Sequence, residues 1–373
     1  MYIPTVTYRI QFNKKFTFRQ LGGIIPYLSD LGVSAIYASP VFKAVPGSTH
    51  GYDGLNPNMI NPEIGTLKEL EAISNRLKEL GISWLQDIVP NHMAFHPANT
   101  WLMDVLEKGE TSEYSGFFDI STNGEKIMVP FLSASLEQVI KKGEIQVGRV
   151  DGKSVVTYFE SNFPLNVSLS PDEIEEVNGD QAVLKRLLDN QYYRLCHWQE
   201  TDKHINYRRF FTINGLICIN IQNREVFDAY HRLIRDCINK GIFQGLRVDH
   251  VDGLYDPSGY LERLRKIAGD DTNIVVEKIL EQNERFPNAW PVQGNTGYDF
   301  LGMVNNLFTL KTSEKAFTTF YEEFTEQRNT LSSELRDKKA NILYKHMGGE
   351  LDNLYQLFIS SGFVSEEEIS QAG

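Results

Sequence analysis

Hydrophobic and polar positions in the first ninety residues follow two different periods. Residues 5–12 alternate as in a strand, residues 18–31 carry apolar side chains at helical spacing, and residues 33–39 form a second apolar strand. A helix over 67–80 and a strand over 82–89 follow, each closed by a glycine or a proline. This alternation predicts a parallel sheet whose strands are joined by helical crossovers.

The pattern changes between residues 93 and 204. Charged helical stretches at 171–176 and 182–189, and strand-like pieces at 127–131 and 155–159, are separated by irregular sequence. Such a segment is too long for a barrel loop. It predicts a subdomain inserted after the third strand.

Alternation of strands and helices resumes after this segment. The predicted elements are, in order, a helix over 224–240, a strand over 243–249, a helix over 258–268, a strand over 273–277 and a short strand near 296–300. After Ser313 the pattern is helical and charged, and no further strand is predicted. A closed (β/α)8 barrel needs eight strands, whereas about six are predicted here.

The predicted fold class is therefore α/β, a TIM-type barrel that is incomplete in this chain. We divide the chain into a first barrel part at residues 1–92, an inserted subdomain at 93–205 and a second barrel part at 206–373. The second part is expected to end before the last barrel strands.

Composition restricts the classes of partner. The chain of 373 residues carries a net charge of −12, and no basic stripe occurs, so nucleic acid and anionic membranes are not expected as partners. A neutral polyol substrate fits this balance. The three cysteines form no paired motif, and no leader or membrane-spanning window is found, so we expect a cytoplasmic protein.

Two carboxylates end neighbouring predicted strands. Asp249 closes an apolar run in which Arg247 shares its face, and a cation beside a carboxylate keeps it ionised, which suits a nucleophile. Glu277 ends the next apolar strand, where burial would raise its pKa and suit a proton donor. Retaining glycoside chemistry needs two carboxylic groups in such different environments. The alternative is that each carboxylate caps the helix that follows.

A third polar motif, Asp87-Ile-Val-Pro-Asn91-His92, closes the strand before the insertion. It places Asn91 and His92 at the mouth of the following loop. The alternative is a turn built from proline and asparagine, with His92 a hydrogen-bonded polar residue. Neither His92 nor His96 has metal-ligand spacing with nearby acids, and no phosphate-binding glycine loop is present, so no metal or cofactor is predicted.

These three motifs resemble the first three signature regions of the α-amylase superfamily of retaining α-glucan enzymes. Longer strings resemble the maltooligosyl trehalose synthases within that superfamily, at residues 7–12, 37–40, 46–53, 61–63, 205–211, 249–254 and 290–301. The resemblance extends over nearly the whole chain. It implies a maltooligosaccharide substrate whose reducing-end α-1,4 link is converted to an α,α-1,1 link.

The resemblance also implies roles for individual residues. Asp249 matches the nucleophile, Glu277 the general acid/base, and Arg247 the arginine that holds the nucleophile ionised. His92 matches a histidine that contacts sugar hydroxyls, and Tyr52 matches the aromatic residue under the same ring.

Further substrate-binding positions are expected on both sides of the scissile bond. Asp53 lies in the 46–53 string, and His250 and Asp252 belong to the Asp-His-Val-Asp-Gly string on the expected acceptor side. His250 has the alternative of a solvent-facing loop residue. Arg208 and Arg209 are interpreted as locking the insertion onto the barrel rather than binding substrate. The aromatic candidates for sugar subsites are Tyr192, Trp198, Tyr255, Trp290 and Tyr298.

The chain departs from the family in its fourth signature region. That region supplies a third carboxylate next to a histidine, and His-Asp occurs nowhere in this sequence. We therefore expect a fragment of a longer enzyme, a chain completed by a partner, or a decayed copy. The alternative functions are another α-glucan hydrolase or glucanotransferase, and a non-catalytic α-glucan-binding remnant.

Overall fold

Six parallel strands form the central sheet. The computed structural model describes residues 3–362 except 123, 282 and 329. The strands are adjacent in the order in which they occur along the chain. They are β1 (Thr7–Ile10), β2 (Ala35–Ala38), β3 (Ser83–Ile88), β4 (Gly245–Val248), β5 (Asn273–Val276) and β6 (Gly294–Asn295). The result is a half-barrel, as the incomplete α/β barrel predicted from the sequence requires.

Helices between these strands bury one apolar face each. They are α1 (Phe18–Asp30), α2 (Leu67–Glu79), α3 (Arg224–Tyr230), α4 (Arg232–Asn239) and α5 (Pro257–Ala268). Thr17 and Thr66 begin α1 and α2 with capping boxes, which satisfy the free N–H groups of the first turn. The buried residues of these helices belong to the same hydrophobic core as those of the sheet. No described helix is both long and apolar enough to cross a membrane.

The chain between β3 and α3 builds several small sheets around the insertion. An antiparallel hairpin of Arg209–Phe210 and Ile213–Cys218 pairs with His92–Ala94 directly after β3. The remaining strands are Ile127–Leu132, Ile145–Val150, Lys153–Tyr158, Ser161–Pro164 and Tyr193–His197. The helices are Thr100–Lys108, Leu136–Lys141, Pro171–Gly179 and Gln181–Asp189. A further hairpin, Phe42–Ala44 with Gly54–Ile60, precedes α2.

In the part of the chain described after β6, four α-helices occur: α6 (Tyr298–Leu307), α7 (Glu314–Thr325), α8 (Leu331–His346) and α9 (Gly348–Ser360). The described residues of α6, α7 and α8 include no buried side chain. Large apolar side chains are instead exposed, among them Leu307, Phe308 and Phe324 at 80%, 86% and 78%. Isolated exposed apolar side chains are ordinary on protein surfaces, but so many large ones in consecutive helices are not.

Two predicted elements differ from the observed ones. The strand predicted near 296–300 is wrong: β6 lies just before it, and Gly297 in a left-handed conformation starts α6 at Tyr298. The single helix predicted over 224–240 is two helices that meet at His231. The His231 ring is fully buried and bonds the Phe227 carbonyl and the Tyr260 hydroxyl, so it is held by tertiary contacts that helix periodicity does not reveal.

Candidate active site

The three motif carboxylates lie at the carboxyl ends of neighbouring strands. Asp87 is the penultimate residue of β3, Asp249 follows β4, and Glu277 follows β5. The parallel register places Arg247 directly across from Asp87. In parallel α/β barrels, this edge of the sheet is where catalytic groups collect.

Arg247 contacts all three carboxylates. Its Nη1 lies 3.0 Å from Asp87 Oδ1 and 2.5 Å from Asp249 Oδ1, and its Nη2 lies 3.2 Å from Glu277 Oε1. Burial disfavours the guanidinium charge, but the surrounding carboxylates outweigh it and raise the pKa of Arg247. One permanently charged cation therefore holds the two candidate catalytic groups together.

Asp87 is fully buried and holds neighbouring side chains of the site in place. Its Oδ2 accepts hydrogen bonds from the Tyr37 hydroxyl at 2.7 Å and the Tyr52 hydroxyl at 2.6 Å. Burial raises the pKa of Asp87, and Arg247 opposes this increase. Arg9 adds a cation 3.8 Å from Oδ2 and donates to the Tyr52 hydroxyl at 3.1 Å. Asp87 thereby fixes the ring of Tyr52 relative to Arg247.

The environments of Asp249 and Glu277 differ, but not in the way expected from the sequence. Burial, reinforced by the charge of Asp87, raises the pKa of Asp249 to about 7, although Arg247 pulls it down. The Glu277 side chain is the more exposed, at 20% against 10% for Asp249. Its Oε2 accepts the His250 backbone N–H at 2.8 Å, and the Tyr298 hydroxyl lies 3.4 Å from Oε1.

His92 is buried and neutral beside Tyr52. Its Nε2 donates to the Tyr52 carbonyl at 3.2 Å, and Phe210 covers the ring at a centroid distance of 4.2 Å. Burial lowers the pKa of His92 to about 4. Among the described residues, no partner meets its other ring nitrogen. A sugar hydroxyl in the cleft would supply that hydrogen bond.

His250 lines the cleft and is half-buried, so the solvent-facing alternative does not apply. Its backbone is left-handed, with φ 45°, and its ring lies 5.0 Å from Phe210 and 5.2 Å from Phe211. Burial lowers the pKa of His250. Gly253 allows this placement, because a Cβ there would lie 2.2 Å from the His250 ring and 2.6 Å from Asn91 Nδ2.

The two remaining predicted binding residues take different positions. Asp252 lines the cleft and pairs with Lys278 at 3.1 Å. Asp53 is not among the cleft-lining residues; its Oδ1 accepts from Ser48 at 2.5 Å and lies 3.9 Å from His50. The structure therefore brings seven of the eight predicted site residues together, and Asp53 supports the loop that carries Tyr52.

The cleft has a volume of about 310 Å³. It is lined by Tyr52, His92, Phe210, Phe211, Leu216, Asp249, His250, Asp252, Glu277 and Ile279. This combination of aromatic rings and carboxylates fits a sugar, which has apolar ring faces and polar edges. In the described part of the chain, no group of three or more His, Cys, Asp or Glu side chains is arranged to hold a metal ion.

Sequence reasoning did not single out Phe210 and Phe211. Phe211 is 61% exposed and has a left-handed backbone, φ 50°, so its ring is held at the rim. The pair lies inside the 205–211 string, which was the available signal. Of the aromatic candidates named from the sequence, Tyr298 alone approaches a catalytic carboxylate by a hydrogen bond that the structure describes.

Arg208 and Arg209 both make locking contacts. Arg208 binds Asp119 at 2.6 Å and the Gly253 carbonyl at 2.8 Å, which joins the insertion to the loop after β4. Arg209 is buried and binds Glu350 at 2.7 Å and the His346 carbonyl at 2.7 Å. The contacts of Arg208 agree with the prediction that these arginines lock the insertion onto the barrel, whereas the distant partners of Arg209 lie in the helices that follow β6.

Comparison with known proteins identifies the same architecture. The family model of the alpha amylase catalytic domain matches residues 19–274. A provisionally named maltooligosyl trehalose synthase of Mycobacterium tuberculosis is 34% identical over 95% of this chain and 45% of its own length.

Solved structures give the same result. DSM5389 glycosyltrehalose synthase superposes with a TM-score of 0.87 and 37% identity, over 95% of this chain and 48% of that one. Maltooligosyltrehalose synthase from Arthrobacter ramosus gives 0.83 and 33%, over 94% of this chain and 44% of that one. The chain spans about half the length of the relatives it matches. By its matched domain, its half-barrel and its strand-end carboxylates, the chain belongs to the α-amylase family.

Proposed function

We propose that this chain carries the catalytic residues of an enzyme that converts the reducing-end α-1,4 link of a maltooligosaccharide to an α,α-1,1 link. The contact of Arg247 with both Asp249 and Glu277 at the cleft is the observation that carries the proposal. The names of the similar proteins supply the substrate class.

In the first step, Asp249 Oδ attacks the anomeric carbon of the penultimate sugar. The glycosidic carbon–oxygen bond breaks, and Glu277 transfers its proton to the departing oxygen. Glucose is released into the acceptor side of the cleft, and the rest of the chain remains as an ester of Asp249. Inversion occurs once in this step.

In the second step, the glucose turns and its own anomeric hydroxyl returns to the same carbon. Glu277, now a carboxylate, takes the hydroxyl proton, the ester bond breaks, and Asp249 leaves as a carboxylate. The second inversion restores the α configuration. Phe210, Phe211 and His250 line the space in which the glucose must be kept from water.

The assignment is tested by incubating the purified chain with maltopentaose and following products by NMR. A 1,1-linked non-reducing product is expected, whereas release of glucose or maltose alone would identify a hydrolase. Asp249→Asn and Glu277→Gln should each lower turnover roughly 1,000-fold or more. Glu284→Gln removes a carboxylate that pairs with Lys278 outside the cleft, and is the matched control.

Binding without turnover is the second candidate function. It is favoured by the absence of a His-Asp pair, because the family's third carboxylate has no counterpart in the sequence. Retention of maltopentaose with no product, for the wild-type chain, would establish this candidate and reject the first.

A further inference from the structure

A second depression, of about 940 Å³, shares no lining residue with the catalytic cleft. It lies where the first helix of the insertion, Thr100–Lys108, meets the Gly54–Ile60 strand and helices α3 and α4. The chemistry proposed above uses none of its side chains.

An aromatic pair forms part of the wall. The rings of Trp101 and Tyr114 stack with centroids 5.7 Å apart and planes 14° from parallel. Phe117, which is buried, packs edge-on against both rings at 5.1 Å. Trp101 and Tyr114 themselves are only half-buried. The surface of these rings that remains exposed gives the depression an apolar, aromatic section of wall.

Two arginines of α4 face the same space. In the part of the chain that the structure describes, neither the Arg232 nor the Arg235 guanidinium makes a hydrogen bond or an ion pair, and Arg235 is half-buried. Asn58 is different, since its amide donates to the Ala229 carbonyl at 2.8 Å and accepts from Leu233 N–H at 3.3 Å. The side chain of Asn58 therefore stabilises the wall of the depression, whereas the guanidinium N–H groups of the two arginines are available to a ligand.

The charges of the lining select a neutral ligand. Three arginines are matched by three acidic residues, Glu113, Glu225 and Asp228. A phosphorylated or polyanionic ligand would meet these carboxylates as well as the arginines. A sugar suits both features, because its ring face stacks on an aromatic platform and adjacent hydroxyls accept from a planar guanidinium.

We propose that this depression is a second binding site for an α-glucan chain, separate from the catalytic cleft. The choice of α-glucan rests on the proposed function; the position and the sugar-binding chemistry rest on the residues above. Such a site would hold a long glucan on the protein while its reducing end enters the cleft.

Affinity electrophoresis of the full chain in gels containing soluble starch tests the proposal. Trp101→Ala and Arg235→Ala should each weaken retention roughly five-fold. Tyr27→Ala is the matched control, because Tyr27 is an aromatic residue of α1 that is 58% exposed and lines neither the depression nor the cleft. Turnover of maltopentaose should be the same in both variants as in the wild type.

Trp101 packs against Phe117, so its loss can also lower stability. Arg235→Ala has no described side-chain contact to lose and therefore decides the outcome. Wild-type retention by Arg235→Ala, or absence of retention by the wild type, would overturn the proposal. The proposal would also be overturned if calorimetric titration showed that inorganic phosphate binds at Arg235 while starch retention does not depend on Arg235.

The two proposals fail separately in these experiments. Starch retention that depends on Arg235, together with no turnover of maltopentaose, would reject the proposed function and leave the second site intact. Turnover of maltopentaose without retention by starch would reject the second binding site and leave the proposed function intact.

Discussion

At the scale of residues, the cleft holds more negative charge than its arginine neutralises. Arg247 contacts all three carboxylates, Asp87, Asp249 and Glu277. Of these three, Arg9 forms an ion pair with Asp87 alone. Asp87 and burial together make ionisation of Asp249 costly. Ionising the proposed nucleophile therefore costs more free energy in the folded chain than in the unfolded chain.

The pH dependence of turnover follows from this charge balance. Asp249 must be ionised to attack, and its pKa is about 7, so kcat/KM should rise as the pH increases through about 7. Asp87→Asn removes the neighbouring charge and should move this limb to lower pH. A limb that stays in place in Asp87→Asn, measured beside Glu284→Gln as control, would contradict the assignment.

Thermal stability should respond to the same carboxylate. The native pKa of Asp249 is above its unfolded value of about 4, so the native state binds the proton more tightly and stability falls as the pH rises from about 4 to about 7. Asp249→Asn should therefore raise the free energy of unfolding at pH 8, on the order of 1 kcal/mol. The gain should shrink at pH 5, and thermal unfolding at the two pH values measures it.

The sequence was sufficient to place most of the site, for a physical reason. Strand period and strand ends are local properties, so Arg247, Asp249 and Glu277 could be assigned to one edge of the sheet before their contacts were known. The raised pKa of Asp249 could not be assigned, because it depends first on burial in the folded cleft and then on the charge of Asp87, from a strand far away in the chain. Phe210 and Phe211 were missed for the same reason: a hairpin brings them over His92 and His250.

At the scale of elements, the loop after β4 shapes the acceptor side of the cleft. His250 is left-handed, Gly253 lies against its ring, and Asn91 binds the Gly253 carbonyl at 2.7 Å. Arg208 binds the same carbonyl. The loop is therefore held by Asn91, which lies just after β3, and by Arg208, which lies just after the insertion, rather than by its own sequence alone.

Gly253→Ala should disrupt this loop. The added Cβ would lie 2.2 Å from the His250 ring, so the ring must move, and a loss of about 1–3 kcal/mol of stability with a raised KM is expected. Gly23→Ala is the matched control, because a Cβ there has no neighbour within 4 Å and the residue lies inside α1. Unchanged KM for Gly253→Ala in steady-state kinetics would show that the loop does not shape the cleft.

At the scale of the whole molecule, the last four helices form the least buried part of the described chain. Close approach to the rest occurs at Gly348 and Gly349, where a Cβ would lie 2.5 Å and 3.0 Å from backbone atoms of residues 201–205. Helix α8 ends at His346 and α9 begins at Gly348, so the two glycines form the start of α9. Glu350 binds buried Arg209 beside this contact.

Limited proteolysis should begin in α6, α7 or α8, because few buried contacts oppose their local unfolding. Glu350→Ala weakens the attachment to Arg209 and should speed cleavage about three-fold or more. Glu314→Ala, an exposed residue of α7, is the control. First cleavage within the half-barrel, identified by mass spectrometry of the early fragments, would contradict this order of stability.

The long interruption between β3 and β4 also has a consequence for the expected order of folding. Strands β1, β2 and β3 pair across one helix at a time, whereas β4 must wait for the whole insertion and α3 and α4 before it can pair with β3. Strands that are far apart in the sequence are expected to pair later, because closing the long loop between them costs entropy before the new contacts can stabilise it. Since Arg247 meets Asp87 across that pairing, we expect the charged cluster of the cleft to form late in folding, after the pairing of β1, β2 and β3.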